Sequence, residues 1–307
     1  MSQTHRAMSP REVSWGHVST PRFLTLPPGV RSRQVDTTVG AFAVLEAMPV
    51  SGVPERWPAL LVPGLTGSKE DFIAVLQTLA QSGRRVIAVD MRGQFETGGP
   101  EDPRAYTCAA LGNDIDVLAH TIGGGEPLHL VGHSFGGLVT REAVIDGRTK
   151  FASYTLMSSG PASIVGVRER AGRTMLAELP EFGLEHIWHT RMEPEALAAG
   201  VPDEIIAFLR KRLFANSPTG MTTMTEQVLS TPDRCDELTQ VEVPTLVLYG
   251  EHDDGWPPRT QSEMADRLNA ECVVVPGASH SPAVEAPETT AAALTRFWNA
   301  AEARLLG

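Results

Sequence analysis

Ser134 lies inside the run LHLVGHSFGGLVTREAV, residues 128–144, where an apolar strand pattern passes through Gly-His-Ser-Phe-Gly-Gly into a helical one. A serine hydroxyl is a poor nucleophile at neutral pH unless a base takes its proton. G-x-S-x-G between a strand and a helix forces a tight, strained turn that holds the serine out at its tip. Gly132 and Gly136 flank it because side chains there would collide with the neighbouring strand and helix. The helix start brings backbone amides and the positive end of the helix dipole close to the hydroxyl. The amide of Phe135, next in the chain, is an expected donor to an oxyanion. The same chemistry needs an acid and then a histidine, each following a later strand. PTLVLYGEHDDGWPP supplies Asp253 after a strand, with Glu251 and Asp254 as neighbouring carboxylates. CVVVPGASHSPAVEAPE supplies His280 after the last strand. In this arrangement Ser134 attacks, His280 accepts its proton, and Asp253 orients the imidazole.

Such residues converge only if strand ends meet on one side of a parallel sheet. Strands are expected at Phe42–Ala47, Ala59–Val62, Val86–Val89, Leu128–Val131, Tyr154–Met157, Thr245–Tyr249 and Cys272–Val275. From Ala59 onward they are near-continuously apolar, the pattern of strands buried on both faces. Helical patterns alternate with them. Ser68 and Asp71 read as a capping-box variant before Phe72, Val75, Leu76 and Leu79, with Gly83 closing the helix. A second helix is expected over Tyr106–Thr121. Strand–helix alternation of this kind predicts an α/β fold with a doubly wound, mostly parallel sheet. Residues 164–239 break the rhythm with helical patterns alone. They are expected to form a cap inserted before the last two strands, over an apolar pocket. The remaining divisions are a loose segment at 1–30 and a core at 31–163 and 240–307.

Five motifs in order carry a family resemblance: VPGLTG at Pro63-Gly64, D-x-R-G at Asp90–Gly93, GHSFGG at Gly132–Gly137, GEHD at Gly250–Asp253 and PGASHSP at Pro276–Pro282. The chain resembles the α/β-hydrolase fold superfamily, in particular its capped serine esterase-like members, over almost its whole length. The resemblance implies G-x-x-D-x-x-x-P spacing, which fits Asp253 with Pro257 and leaves Asp254 as the alternative acid. It also implies that the Leu65 amide, after Pro63-Gly64, is the second oxyanion donor. Many relatives carry His-Gly where this chain has Pro63-Gly64, and R-G-x-G-x-S where it has RGQFET. Phe95, Trp188 and Met192 are the expected substrate-binding side chains, with packing under the cap as the other reading of Phe95.

The net charge of −11 disfavours partners built on phosphate backbones or anionic membrane surfaces, so neither nucleic acid nor membrane is expected. The three cysteines, Cys108, Cys235 and Cys272, are widely spaced and read as reduced thiols in a cytoplasmic protein. His186 and His189 share a helix face but lack a third ligand, so no metal and no cofactor is expected. Serine at the turn argues against epoxide opening and dehalogenation, which relatives perform with aspartate there. The expected activity is hydrolysis of an ester-type bond (carboxylic ester, lactone or thioester) in a small to medium apolar molecule. The alternatives are carbon–carbon bond hydrolysis or perhydrolysis on the same residues, and a non-hydrolytic cyclase or ligand receptor on the same fold.

Overall fold

Strands β1 (Val30–Thr37), β2 (Gly40–Ala47), β3 (Arg56–Val62), β4 (Arg84–Val89), β5 (Leu128–His133), β6 (Phe151–Met157), β7 (Thr245–Gly250) and β8 (Glu271–Val275) form one sheet. The computed structural model describes residues 18–307, so residues 1–17 of the expected loose segment lie outside the described residues. The strand order is β1-β2-β4-β3-β5-β6-β7-β8. β2 runs antiparallel to both β1 and β4, and every later pairing is parallel. β5 is thus central, with Val62 of β3 level with Gly132 and Met157 of β6 level with His133.

The apolar runs bury alternate residues in two layers. Leu60, Val62, Leu130 and Val247 face helices α2 (Cys108–Gly123) and α3 (Phe135–Asp146). Ala59, Leu61, Val131 and Leu246 face α1 (Ile73–Ala80) and the C-terminal helix Pro287–Leu306. Parallel strands covered on both sides need no polar face.

Between β6 and β7 the described residues contain helices and no strand. These are α4 (Gly166–Ile187), a π-helical turn at Trp188–Met192, α5 (Glu193–Ala198), α6 (Asp203–Ala215), α7 (Pro218–Ser230) and α8 (Cys235–Leu238). α4 is interrupted at Gly183, where φ is 77°. Met175, Leu179, Trp188, Leu209 and Leu213 make a separate apolar core for this segment. α9 (Pro258–Leu268), α10 (Pro282–Glu285) and α11 (Pro287–Leu306) complete the fold.

Three local expectations need correction. β1 had no counterpart in the strand expectations, because VRSRQVDT is a half-exposed edge strand of mainly polar residues. Ser68 caps no amide: its hydroxyl donates to Glu70 at 2.6 Å, and Lys69–Phe72 form a 3₁₀ turn before α1. The second helix starts at Cys108, because Thr107 caps it by accepting from the Ala110 amide at 3.2 Å.

Residues 18–29 are irregular but anchored. Val18 and Leu24 pack on the helical segment's core. Ser19 Oγ lies 2.7 Å from Ser281 Oγ, and Arg22 donates to the Glu285 carbonyl at 2.5 Å.

Candidate active site

Ser134 occupies the single position between β5 and α3, with φ 55° and ψ −121°. A side chain with positive φ of this kind costs about 1–3 kcal/mol and persists only where the surroundings impose it. Here the surroundings are visible. A Cβ on Gly132 would strike Thr140 and Gly136, and one on Gly136 would strike the carbonyls of Val62 and Pro63. The flanking glycines therefore let α3 approach both its own strand and the end of β3.

The imidazole of His280 bridges the other two groups. Its Nε2 lies 2.8 Å from Ser134 Oγ, and its Nδ1 lies 2.8 Å from Asp253 Oδ1. All three residues are buried. Asp254, the alternative acid, is exposed and accepts from Arg168 at 2.7 Å. Asp253, and not its neighbour, is therefore the carboxylate bonded to the imidazole. Burial alone would raise the Asp253 pKa, but the charge and hydrogen bond of His280, with bonds from Gln261 and Gly255, bring it down to about 2. Asp253 is thus ionised at neutral pH and accepts the His280 hydrogen bond as a carboxylate.

Several supporting residues were not found in the sequence. Gln261 Nε2 donates to Asp253 Oδ2 at 3.0 Å, and the Gly255 amide donates to Oδ1 at 2.8 Å. His133 donates from Nε2 to the His280 carbonyl at 2.7 Å. Burial, helped by the nearby His280 charge, pushes His133 down to about 3, so it stays neutral as a donor. Gln94 donates to the Gly64 carbonyl at 2.7 Å and to the Leu65 carbonyl at 3.1 Å. Its own oxygen accepts from the Met91 amide at 3.0 Å. Asp90 holds the far side of the same loop, accepting from the Lys69 amide at 2.7 Å and its ammonium at 2.8 Å. Gln94, at the unspecified position of the R-G-x-G-x-S pattern, thus fixes the loop carrying Leu65, and the departures at Phe95 and Thr97 are not the residues that do so. No signal in the sequence marked this role, since the partners of Gln94 are about 30 residues away in the chain.

Above Ser134 lies a cavity of about 100 Å³. For scale, an apolar cavity of about 150 Å³ holds a benzene-sized guest. Leu65 and Phe135 line it together with Ser134 and His280. Among the described residues neither the Leu65 nor the Phe135 amide has a backbone acceptor. Met175 and Met192 come from the helical segment, and Val18 and Ser19 from the N-terminal stretch. Of the expected substrate-binding residues, Met192 reaches this cavity. Phe95 and Trp188 do not. Phe95 stacks edge-on against Phe208 at 5.6 Å with the Lys69 ammonium 4.6 Å above its ring. Trp188 is wholly buried in the core of the helical segment. Both were read from residue type, which does not fix the direction of a side chain.

His186 and His189 lie apart from the cavity and pair with acids of their own segment, Glu178 at 3.6 Å and Glu193 at 2.8 Å. Asp253, Asp254 and His280 offer ligand atoms within 4.8 Å of one another. Both His280 nitrogens are nevertheless taken, by Ser134 and Asp253.

Residues 59–293 match a sequence model described as "Alpha/beta hydrolase family". A non-heme haloperoxidase of Rhodococcus erythropolis is 28% identical over 282 residues, covering 78% of this chain and 91% of that protein. A proline iminopeptidase of Lactobacillus delbrueckii subsp. lactis is 31% identical over 117 residues, covering 37% of this chain and 40% of that protein. This chain therefore matches less than half the length of that iminopeptidase. Among solved structures, a thermophilic esterase from Thermogutta terrifontis shares the fold with a TM-score of 0.71 at 24% identity, over 88% of this chain and 99% of that one. The enol-lactonase from Burkholderia xenovorans LB400 shares it with a TM-score of 0.72 at 18% identity, over 87% of this chain and all (100%) of that one. The match of the family's sequence model to most of the chain, on a sheet of the same architecture, makes this chain a member of the alpha/beta hydrolase family.

Proposed function

We propose that the protein is a serine hydrolase that cleaves an ester-type bond (carboxylic ester, lactone or thioester) in a small to medium apolar substrate. One observation carries the reading: Ser134, His280 and Asp253 form a continuous hydrogen-bonded chain at the floor of a mainly apolar cavity. Ser134 Oγ attacks the acyl carbon while His280 Nε2 takes its proton. The negative oxygen of the tetrahedral intermediate is received by the amides of Phe135 and Leu65. Each such donor is worth a factor of about 10²–10³ in turnover. The bond from the acyl carbon to the ester oxygen or thioester sulfur then breaks, and His280 returns the proton to the leaving alcohol or thiol. Water, deprotonated by His280, attacks the acyl-enzyme and releases the acid with Ser134 reprotonated. Ionised Asp253 stabilises the imidazolium in both halves of the cycle.

The test is turnover of p-nitrophenyl esters from acetate to decanoate by the wild type and by Ser134→Ala. The reading requires measurable hydrolysis that disappears in the variant; equal rates in both proteins would refute it. A second reading is favoured by the haloperoxidase match over 91% of that protein. In it hydrogen peroxide replaces water as the nucleophile on the acyl-enzyme and releases a peracid. Peracid formation from an acetate ester and hydrogen peroxide, dependent on Ser134, would support it; hydrolysis unaffected by peroxide would exclude it.

A further inference from the structure

Val18 and Met192 each border two cavities. One is the cavity of about 100 Å³ above Ser134. The other encloses about 30 Å³ and is bounded further by Ala196, Ala199, Val201 and Leu209, with Thr20 and Glu195 as its polar lining. The two side chains are therefore the partition between an inner chamber holding the reactive serine and an outer, largely apolar one.

Both partition residues are held in place by the fold. Ser19, next to Val18, bonds through its hydroxyl to Ser281, the neighbour of His280. The Ser19 carbonyl accepts from Arg212 Nη2 at 2.8 Å. Arg212 is buried in α6 and also donates to Asp71 at 2.7 Å. The N-terminal stretch is thus tied to the core on one side and to the helical segment on the other. Met192 is buried within the π-helical turn, and its unbranched thioether chain fills irregular space.

We propose that Val18 and Met192 set the acyl-chain length, a specificity role that rests on the serine hydrolase reading. Short acyl groups fit within the inner chamber and end against the partition. Shortening either side chain joins the two chambers and gives a longer straight acyl chain an apolar path.

The experiment compares kcat/KM for p-nitrophenyl acetate and hexanoate in full-length wild type, Val18→Ala, Met192→Ala and Val18→Phe. Fluorophosphonate labelling of Ser134 is followed in the same preparations. A change of one methylene in an apolar pocket is worth roughly 10-fold or more. The hexanoate-to-acetate ratio should therefore rise about 10-fold in Val18→Ala and Met192→Ala and fall in Val18→Phe. Val18 is only half-buried, so its two variants carry the test even if Met192→Ala does not fold. An unchanged ratio in the labelled, active Val18 variants would overturn the partition. A wild type that neither labels nor turns over esters would overturn the hydrolase reading itself.

Discussion

At the scale of single residues, the site is a chain of three hydrogen-bonded groups whose parts fail together. Ser134→Ala and His280→Ala should each lower turnover by about 10⁶. Asp253→Asn keeps the shape of the acid but removes its charge, and should cost about 10⁴. Asp254→Asn should leave turnover near wild type, since Asp254 is exposed and faces Arg168 rather than His280. Steady-state kinetics on one ester separates these outcomes, and a large loss in Asp254→Asn would put the acid in the wrong place. Asp253 also links the site to stability. Its pKa is lowered from 3.8 to about 2 in the fold. The ionised form therefore stabilises the native state above about pH 4, by about 2 kcal/mol, and that contribution is lost as pH falls toward 2. Denaturant unfolding from pH 5 to pH 2 should show a steeper loss in the wild type than in Asp253→Asn. Parallel curves would contradict the assignment.

At the scale of elements, the proposed catalysis depends on how closely β3, β5 and α3 meet. Gly136→Ala places a methyl group against the Val62 and Pro63 carbonyls. Overpacking of this kind costs about 1–3 kcal/mol, and the displaced loop carries Leu65, so a lower melting temperature should accompany lost turnover. Gln94→Ala tests the same loop from the other side. Releasing the Gly64 and Leu65 carbonyls should lower kcat by about 10-fold or more with KM little changed, as expected when an oxyanion donor is misplaced. A rise in KM alone would assign Gln94 to substrate binding instead. Much at this scale was legible in the sequence. Strands buried on both faces are continuous apolar runs, which made β3 to β7 readable as such. β8, read the same way, is instead an edge strand with Cys272 and Val274 exposed. The order of Ser134, Asp253 and His280 followed from their strand ends. What was not legible depended on neighbours remote in sequence. β1 exists because it pairs with β2, and its own residues alternate too weakly to announce it. Gln261, His133 and Gln94 gain their roles from partners that only the fold brings near. Phe95 and Trp188 have the right composition for a pocket, but Trp188 lies in the core of the helical segment and Phe95 packs against Phe208 and Lys69.

At the scale of the whole molecule, one buried ion pair joins the helical segment to the core. Arg212 of α6 donates to Asp71 at 2.7 Å, and both side chains are almost wholly buried. Removing one member leaves the other charge uncompensated, which typically costs about 3–5 kcal/mol. Arg212→Met or Asp71→Leu should lose stability on this scale in urea unfolding, and the double variant should recover most of it. Additive losses in the double variant would show that the two groups act separately. Among the described residues no helix is long and apolar enough to cross a membrane. In the proposed function the sheet, the helical segment and the N-terminal stretch together present one hydroxyl, Ser134, to an apolar cavity. The most direct test of that claim is covalent labelling with a fluorophosphonate, followed by peptide mass mapping of wild type and His280→Ala. The account predicts a single adduct on Ser134 in the wild type and its near-complete loss in His280→Ala. Labelling at another residue, or equal labelling without His280, would contradict it.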